Sequence, residues 1–298
     1  MLKLKFKKKI FIHRVDGPIS KIRDNDFQID RKIYLFNNLI ADGTIFQSNW
    51  SREENLKLGM NKNQFEETII NASDPLIFNP KNKKKFSNSR KTKLISSSWS
   101  SNWNKGFKIY QYLDQNLDFS KYEMTFIGNS PIEFKNIRWI KPVTSEEMAK
   151  HLKKHDIFII ASRKDPCSNS LIEALTCGLP AIVLDDGGHP EILDKSGEIF
   201  KNENDILKKI EKIAQNYNYY QNNIRILGLD LVKDKYYNFS KKIYQNYLNK
   251  TYIPKKINIF QSYKLFLFIL TIKLKIIFDI PIINKIFDRI LKLIIRNI

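Results

Sequence analysis

Residues 156–191 read DIFIIASRKDPCSNSLIEALTCGLPAIVLDDGGHPE, and this stretch decides the fold of the chain. It begins with the run Asp156–Ala161, whose length and β-branched content predict a strand buried on both faces of a parallel sheet. A helix is predicted from Asn169 to Gly178, because good N-cap residues precede leucines at helical spacing. Residues 181–184 predict a second strand. The loop before the helix therefore lies at the carboxyl end of a strand, where open α/β sheets bind ligands.

The start of the predicted helix has the chemistry of a phosphate site. Its unpaired N–H groups and partial positive charge suit a phosphate or pyrophosphate. Two acids, Asp165 and Glu173, bracket this start. A carboxylate beside a phosphate is favourable only if it accepts hydrogen bonds from neutral hydroxyls, such as those of a sugar or ribose. Taken alone, the segment is equally compatible with an ordinary capped helix that carries an exposed acid.

The motifs Asp165–Pro180 and Gly187–Glu191 resemble the donor-site signature of family-4-type retaining glycosyltransferases of GT-B fold, the glycosyl transferases group 1. In that family two acidic residues separated by seven positions flank a loop and helix that hold a nucleotide sugar. The resemblance implies that Glu173 binds the ribose hydroxyls. It implies that Asp165, where the family usually has Glu, holds sugar hydroxyls. By the same resemblance, the donor sugar and phosphates meet backbone N–H groups of Cys167, Ser168, Asn169 and Ser170.

The composition allows two domains and indicates an anionic partner. The chain has 298 residues and a formal net charge of +20, which favours a phosphorylated substrate, nucleic acid or a membrane surface. Its two cysteines, Cys167 and Cys177, both lie in the donor unit, so they imply neither a disulfide framework nor a metal knuckle. A reducing cytoplasm fits this usage. The basic start is followed by an apolar run too short for a signal peptide, so secretion is not expected.

The first part of the chain alternates short strands and helices, which indicates parallel α/β packing. A capping box of Ser51 and Glu54 predicts a helix that ends near Leu58. The other predicted elements are strands at 9–13, 43–47 and 68–70 and a helix at 33–40.

This region resembles the second half of the family's acceptor-side domain, without the usual glycine-rich opening. The resemblance therefore implies a reduced N-terminal domain. His13 and Asp16 follow the first predicted strand, and the matching family loop places a His near the donor sugar. They are the acceptor-side candidates for catalysis, although a lone His at a strand end also fits a structural role.

The second part predicts strands at 93–95, 122–127 and 136–140, and a capping box of Thr144 and Glu147 opens the next helix. The loops after these strands fall at the carboxyl edge of one sheet. Lys105 with Gly106 resembles the family's Lys-Gly pair, in which the lysine neutralises the donor diphosphate. The family's Arg about five residues earlier is absent, and Asn102 with nearby hydroxyls is the predicted replacement. The remaining donor-binding candidates are Gly128, Lys141, Pro142 and Val143.

The predicted domain order has four parts. Residues 1–80 form a reduced N-terminal Rossmann-like domain, 81–92 a polar linker, and 93–250 the nucleotide-sugar-binding Rossmann-like domain. A helix predicted at 236–247 resembles the terminal helix that crosses back to the first domain in GT-B enzymes. The same pattern fits a helix that covers its own sheet.

The tail, residues 251–298, carries nine basic and two acidic residues among many Ile, Leu and Phe. From residue 282 the apolar side chains repeat at helical spacing opposite basic ones, which predicts an amphipathic helix in the interface of an anionic membrane. The alternative is a helix packed on the protein itself. The apolar run at 265–272 is too short to span a bilayer, which takes about 20 residues.

Other sequence motifs and residue groups give weaker indications of function. The sequence has no glycine-rich dinucleotide fingerprint, no phosphate loop ending in Gly-Lys-Ser/Thr and no His-Glu-x-x-His. His151 and His155 are spaced i, i+4 without a completing acid, so they are interpreted as solvated, and His189 is interpreted as conformational. A nucleic-acid-binding function is disfavoured because many basic residues are terminal and no recognition motif is present.

These observations predict a GT-B-like α/β fold and a hexosyltransferase-type, retaining, metal-independent glycosyltransferase. It would transfer a sugar from a nucleotide-diphosphate sugar to a glycan or lipid-linked acceptor in cell-surface polysaccharide synthesis, with no cofactor besides the donor. A non-catalytic nucleotide-sugar-binding or scaffold protein at the membrane is the alternative. The predicted location is cytoplasmic, attached peripherally to the inner face of the membrane through the tail. The predicted catalytic residues are His13, Asp16, Lys105 and Asp165.

Overall fold

The computed structural model describes residues 6, 8–23, 28–263, 265–267, 270 and 289. Their strands form two separate parallel sheets, one of three strands and one of six. The predicted alternation of strands and helices in a parallel α/β arrangement is therefore confirmed.

The first domain is built on the three-stranded sheet, in which β2 is central. Neighbouring residues of β2 point to opposite faces, because successive side chains of a strand alternate. Ile45 therefore contacts one apolar cluster and Phe46 another. The elements are β1 (Ile12–Val15), α1 (Ile19–Arg23), α2 (Gln28–Ile40), β2 (Gly43–Phe46), α3 (Asn49–Lys57) and β3 (Phe65–Thr68).

Two local predictions for this domain are wrong. Ser48 caps α3, because its hydroxyl accepts the N–H of Ser51, so Ser51 lies inside the first turn instead of opening the helix. Glu54, the other half of the expected capping box, pairs with Lys21 and Lys57. The third strand also ends at Thr68, where it was expected to begin.

The second domain is built on the six-stranded sheet, whose order is β6-β5-β4-β7-β8-β9 with every pair parallel. The strand order reverses between β4 and β7. Open α/β sheets bind ligands outside the carboxyl ends of strands at such a switch point. The strands are β4 (Thr92–Ser98), β5 (Tyr122–Gly128), β6 (Arg138–Ile140), β7 (Ile157–Ile160), β8 (Ala181–Leu184) and β9 (Gly197–Phe200).

Helices cover both faces of this sheet. All four residues of β7 are buried, with Ile157 and Ile159 in one core cluster and Phe158 and Ile160 in the other. The strand predicted to be buried on both faces is thus confirmed. A 3-10 turn (Trp103–Lys105) precedes the helices α4 (Phe107–Asn116), α5 (Ser145–Lys154), α6 (Asn169–Thr176), α7 (His189–Leu193), α8 (Glu203–Gln215) and α9 (Tyr217–Asn222).

The long helix α10 (Leu229–Leu248) returns to the first domain. Its residues Phe239 and Ile243 are buried in the cluster that contains Ile45 and Phe65. Gly43 lies directly beneath them, since a Cβ there would be 2.5 Å from the Cδ1 of Ile243. Of the two readings of this helix, the crossing helix is the one observed.

Residues 81–91 contain no helix or strand, but they are fixed to the second domain. Arg90 donates two hydrogen bonds to the buried carboxylate of Asp156, at 2.7 and 2.8 Å. Phe86 stacks on Tyr217 with ring centroids 4.1 Å apart. Burial lowers the pKa of Lys83 to about 8, and its ammonium donates to a backbone carbonyl of the second domain. Composition predicted a polar connection but not these contacts.

The tail is described only in part. Tyr252 donates its hydroxyl hydrogen to Asp42 at 2.7 Å, which holds the start of the tail on the first domain. The predicted amphipathic helix from residue 282 lies outside the described residues, apart from Arg289. Within the described part of the chain, none of the helices combines the length and apolar character needed to cross a membrane.

Candidate functional site

A cavity of about 540 Å3 lies between the two domains, at the carboxyl ends of β4 and β7. This is the switch point of the large sheet. The first domain contributes Asp16, Gln47 and Asn71 to its wall. The second domain contributes polar groups from the end of β4, Lys105, and the loop and helix that run from Asp165 to Glu173.

The N-terminus of α6 faces this cavity and is held by local geometry. Ser168 caps the helix, because its hydroxyl accepts the N–H of Leu171 at 3.3 Å. The loop before the helix is supported from behind by a glycine pair. Gly188 donates its N–H to the Asp165 carbonyl at 2.9 Å, and a Cβ on Gly187 would lie 2.3 Å from the same oxygen. Only a residue without a side chain fits there, and Gly187 has a φ of 65°.

Glu173 lies on α6 and lines the cavity. Burial alone raises the pKa of this carboxyl to about 7, with no charged neighbour contributing. Among the described residues, no hydrogen-bond donor or cation contacts it. A carboxylate that is half-buried and unpaired retains its full capacity to accept hydrogen bonds from a ligand.

Lys105 and Asp165 form an ion pair in the wall of the cavity, with Nζ and Oδ2 3.2 Å apart. Gly106 makes this approach possible, because a Cβ there would lie 2.3 Å from the Ala161 carbonyl oxygen at the end of β7. The φ of Gly106 is 89°, so a side chain would be strained as well as crowded. The Lys-Gly pair therefore puts its ammonium directly over the α6 loop.

The side chains behind Asp165 are buried and neutral. The Nε2 atom of His189 lies 3.2 Å from the Ser162 hydroxyl, which in turn lies 3.4 Å from the Asp165 carboxylate. Burial lowers the pKa of His189. Burial also raises the pKa of the Cys167 thiol to about 11, so this cysteine is protonated and is not a nucleophile near neutral pH.

Two sets of hydrogen bonds join the domains beside the cavity. Glu191 of α7 accepts the N–H groups of Asn49 and Trp50, each at 2.8 Å, at the N-terminus of α3. Sequence reasoning placed Glu191 in the family motif but did not predict this contact.

The second set runs from the first domain to the start of α6. Arg14 donates to Asn71 at 2.8 Å, and Asn71 donates to Asn169 at 2.8 Å. Arg14 also donates to the Tyr236 hydroxyl of α10 at 3.0 Å. The side chain that opens α6 is therefore connected to both β1 and the crossing helix.

The structure brings eight of the predicted site residues together around the cavity. They come from both domains and from three separate segments of the sequence. These residues are Asp16, Lys105, Asp165, Cys167, Ser168, Asn169, Ser170 and Glu173.

The other predicted site residues do not line it. His13 is half-buried with Nδ1 3.1 Å from the Asn37 side chain, and burial lowers its pKa. Asn102 accepts the N–H of Asn104 at 2.8 Å and so caps the 3-10 turn.

The loops after β5 and β6 lie outside the wall of the cavity as well. Gly128 packs on β4, where a Cβ would lie 1.9 Å from the Ser98 carbonyl oxygen. Lys141 lies over the Trp139 ring, 3.7 Å from its centroid. Pro142 is exposed, and Val143 packs against the apolar core.

Several lining residues were missed. Gln47 and Asn71 follow the second and third strands of the first domain, Ser97 and Ser98 end β4, and Trp99 and Ser100 come directly after it. Their position just after a parallel strand is the signal that finds them, since all such loops meet at one edge.

One prediction outside this cavity is wrong. His155 is buried, with Nδ1 2.7 Å from the His151 carbonyl and Nε2 3.0 Å from the Thr125 hydroxyl. Burial lowers its pKa to about 4, so it is a neutral core residue and not a solvated one. In the described part of the chain, no three His, Cys, Asp or Glu side chains cluster as metal ligands would.

The chain is similar to known glycosyltransferases in sequence and in fold. Residues 133–226, which include α6 and its loop, match the model of the family glycosyl transferases group 1. Among curated protein sequences, none matches the chain.

Several solved structures resemble about four-fifths of the chain. HepE from Anabaena, in complex with UDP and glucose, has a TM-score of 0.63 and 13% identity, and the similarity covers 78% of this chain and 72% of that one. Sucrose-phosphate synthase from Thermosynechococcus elongatus has a TM-score of 0.57 and 15% identity, covering 80% and 67%. TarM has a TM-score of 0.55 and 18% identity, covering 80% and 54%.

The chain therefore has the GT-B fold, with a shortened N-terminal domain, and residues 133–226 of its second domain match the model of glycosyl transferases group 1. The resemblance seen in the sequence is confirmed at this level.

Proposed function

We propose that this protein is a glycosyltransferase that moves a sugar from a nucleotide-diphosphate sugar to a glycan or lipid-linked acceptor, with retention and without a metal ion or other cofactor. The observation that carries the proposal is the unpaired, half-buried carboxylate of Glu173 beside the N-terminus of α6. An anionic ligand with neutral hydroxyls satisfies both groups at once, and a nucleotide sugar is such a ligand.

The charge that develops on the leaving diphosphate would be stabilised by two fixed groups. The N–H groups that open α6 supply a partial positive charge, and Lys105 supplies a full one from beside the same loop. Both interactions strengthen as negative charge grows in the transition state, which is the condition for catalysis.

Before a donor binds, the charges of Lys105 and Asp165 neutralise each other in an ion pair. Donor binding would exchange this pair for better partners. The ammonium would take the diphosphate and the carboxylate would take sugar hydroxyls. In this role Asp165 orients the sugar. Asp16 and Gln47 line the cavity from the first domain, where the acceptor would bind. Enclosure between the domains would exclude water that hydrolyses the donor.

The similarity to HepE supports the choice of donor. The HepE structures contain UDP with glucose, UDP-glucose or UDP. A nucleotide sugar is thus compatible with this fold, and the base and sugar are to be measured.

The direct test is a thermal-shift titration with UDP-, GDP-, ADP- and CDP-sugars, together with an assay for released nucleotide. We expect one nucleotide class to stabilise the protein and to be hydrolysed slowly. Glu173→Ala is expected to weaken donor binding by about 1 to 3 kcal/mol, the scale for unpaired hydrogen-bonding groups. Glu133→Ala, an exposed acid of the same domain, is the matched control and should leave the affinity unchanged.

Unchanged affinity of Glu173→Ala for every nucleotide sugar would remove Glu173 from the site. A thermal shift without turnover in the presence of candidate acceptors would favour the non-catalytic nucleotide-sugar-binding alternative.

We also propose that the tail attaches the protein to the inner face of the membrane, where it would serve cell-surface polysaccharide synthesis. The net charge of +20 and the basic amphipathic pattern from residue 282 support this. Deleting residues 281–298 should release the protein from anionic vesicles and leave binding of soluble donor intact. Equal vesicle binding by both forms would show that the tail is not the anchor.

A further inference from the structure

A second cavity, of about 460 Å3, lies at the opposite edge of the large sheet. Lys93 near the start of β4 lines it, whereas Ser97 and Ser98 at the end of the same strand line the donor cavity. A seven-residue strand is roughly 20 Å long, so the two cavities are far apart. They share no lining residue.

Basic side chains from three different elements line part of the second cavity. Lys93 belongs to β4, Arg138 to β6, and His151 and Lys154 to the last turn of α5. A helix C-terminus attracts cations, which accounts for the two residues of α5. It does not account for the lysine and arginine that the strands place beside them.

These cations are poorly neutralised. Glu123 is the one acid among the lining residues, and it pairs with Lys93 at 3.4 Å. Arg138 and Lys154 have no carboxylate partner in the described part of the chain. The nearby buried carboxylate of Asp156 forms an ion pair with Arg90 and accepts the N–H of Lys93. Holding several like charges together is unfavourable, and an anion in the cavity would relieve this repulsion.

The pKa of His151 reflects the positive electrostatic potential in this cavity. Its pKa is lowered by burial and then by the charges of Lys154 and Arg138, while Glu147 opposes the shift. Its neighbour His155 is buried with both ring nitrogens bonded, so it stays neutral. The other titratable groups that face this cavity are Lys91, Lys93, Tyr122 and Glu123.

We propose that this cavity is a binding site for a tetrahedral oxyanion, the phosphate group of a soluble or lipid-borne ligand, held by Lys93, Arg138, His151 and Lys154. The site is separate from the donor cavity and does not depend on the proposed transferase activity. Arg138 and Lys154, both exposed, would supply charge-assisted hydrogen bonds, and Lys93 would add one in exchange for its ion pair with Glu123.

Proton uptake is the signature of the site. An anion between these cations replaces repulsion with attraction, so it raises the pKa of His151. A group whose pKa is higher in the complex makes binding tighter as the pH falls towards that pKa. Sulfate is the suitable probe, because its charge is constant over this range whereas that of phosphate is not.

The experiment is an NMR titration of the full-length protein with sulfate, observed at the ring protons of its four histidines. We expect the His151 signal to move with saturation and its pKa to rise, with tighter binding at about pH 6 than at about pH 8. His151→Gln assigns the signal. Arg138→Gln with Lys154→Gln should weaken sulfate binding about tenfold or more, from the loss of two charge-assisted hydrogen bonds.

The matched control is Lys195→Gln with Lys208→Gln, two exposed lysines of the same domain that do not line the cavity. It makes the same change in net charge and should leave the His151 response unchanged. Lys105→Ala, in which the donor cavity loses its cation, should also leave it unchanged.

A His151 signal that does not respond to sulfate would overturn the proposal. Equal weakening in the control pair would also overturn it, because the effect would then be one of general charge. Glycerol 3-phosphate binding more tightly than inorganic phosphate would assign a lipid-type headgroup as the ligand. Equal affinity for the two would assign the free phosphate group.

Discussion

The two domains differ in how they complete their hydrophobic cores. In the second domain β7 and β8 are buried at every position, and their covering helices lie close to them in the sequence. In the first domain three short strands cannot bury both faces of their sheet with neighbouring helices alone. Phe239 and Ile243 of α10 cover one face of that sheet, almost two hundred residues further along the chain.

This difference has a functional side. Lys105, Asp165 and Glu173, the proposed donor-binding residues, lie on a sheet whose core packing is local to the second domain. The first-domain residues that line the cavity depend on α10, because this helix packs on their sheet. The same helix contacts Arg14 of β1 through the hydroxyl of Tyr236. Loss of α10 packing is therefore expected to affect the acceptor side first.

The largest expected effect comes from Phe239→Ala, because this side chain is 5% exposed in the first-domain core. A buried Phe→Ala change costs about 3 to 5 kcal/mol. Hydrogen exchange measured by mass spectrometry should rise in β2 and β3 and stay unchanged in β4 and β7. Tyr244→Ala, a 52% exposed residue of the same helix, should change stability by less than about 0.5 kcal/mol. Equal exchange in both sheets would contradict the contrast between the domains.

Glu173→Gln tests the local burial in the second domain. Burial raises the pKa of this group to about 7. Below about pH 4.5 the carboxyl is protonated in both the folded and the unfolded protein, so it has no effect on the free energy of unfolding. As the pH rises to 7 and above, the unfolded protein ionises this group more readily than the folded one, so the free energy of unfolding falls. The variant should be more stable than the native protein at about pH 8, by on the order of 2 to 3 kcal/mol, and similar at about pH 4.5.

The measurement is chemical unfolding of both forms at the two pH values. A difference that is the same at both would show that the carboxyl is not shifted. The same titration predicts that nucleotide-sugar affinity rises with pH through 7 in the native protein, because hydroxyls donate to the ionised form, and is flat in the variant.

Glu191→Gln tests the contact between the domains. The charged side chain accepts two N–H groups at the start of α3, and loss of such a cap costs about 1 kcal/mol. We expect faster exchange at Asn49 and Trp50 and no change in β8. Glu133→Gln, exposed and remote from α3, is the control. Unchanged exchange at the start of α3 would mean that this contact does not couple the domains.

The smallest effect is expected for Arg14→Gln. The arginine joins Asn71 and Tyr236, but its side chain is 42% exposed, and exposed polar contacts contribute less than about 1 kcal/mol. Urea unfolding should therefore shift only slightly. A loss above about 2 kcal/mol would show that these two Arg14 bonds, rather than the buried face of α10, hold the first domain together.

Lys105, Asp165 and Glu173 of the second domain lie together around the cavity, whereas His13 of the first domain does not line it. Asp165 and Glu173 flank the start of a helix that hydrophobic runs and caps predict, whereas Lys105 was singled out by its resemblance to the family's Lys-Gly pair. His13 was also chosen by resemblance, yet it bonds to Asn37 away from the cavity. Its strand is only four residues long, so a small change in where the strand ends redirects the side chain.

The sequence by itself determined the strand, loop and helix of the segment 156–184 and the Ser168 cap. These features depend on residues within a few positions of each other. Only the tertiary structure decided that Lys105 pairs with Asp165, that Glu173 is left unpaired, and that Glu191 caps α3. The physical reason is separation along the chain, since Glu191 meets residues 141 and 142 positions away. Contacts of that kind are set by how whole sheets and helices pack, which no local pattern records.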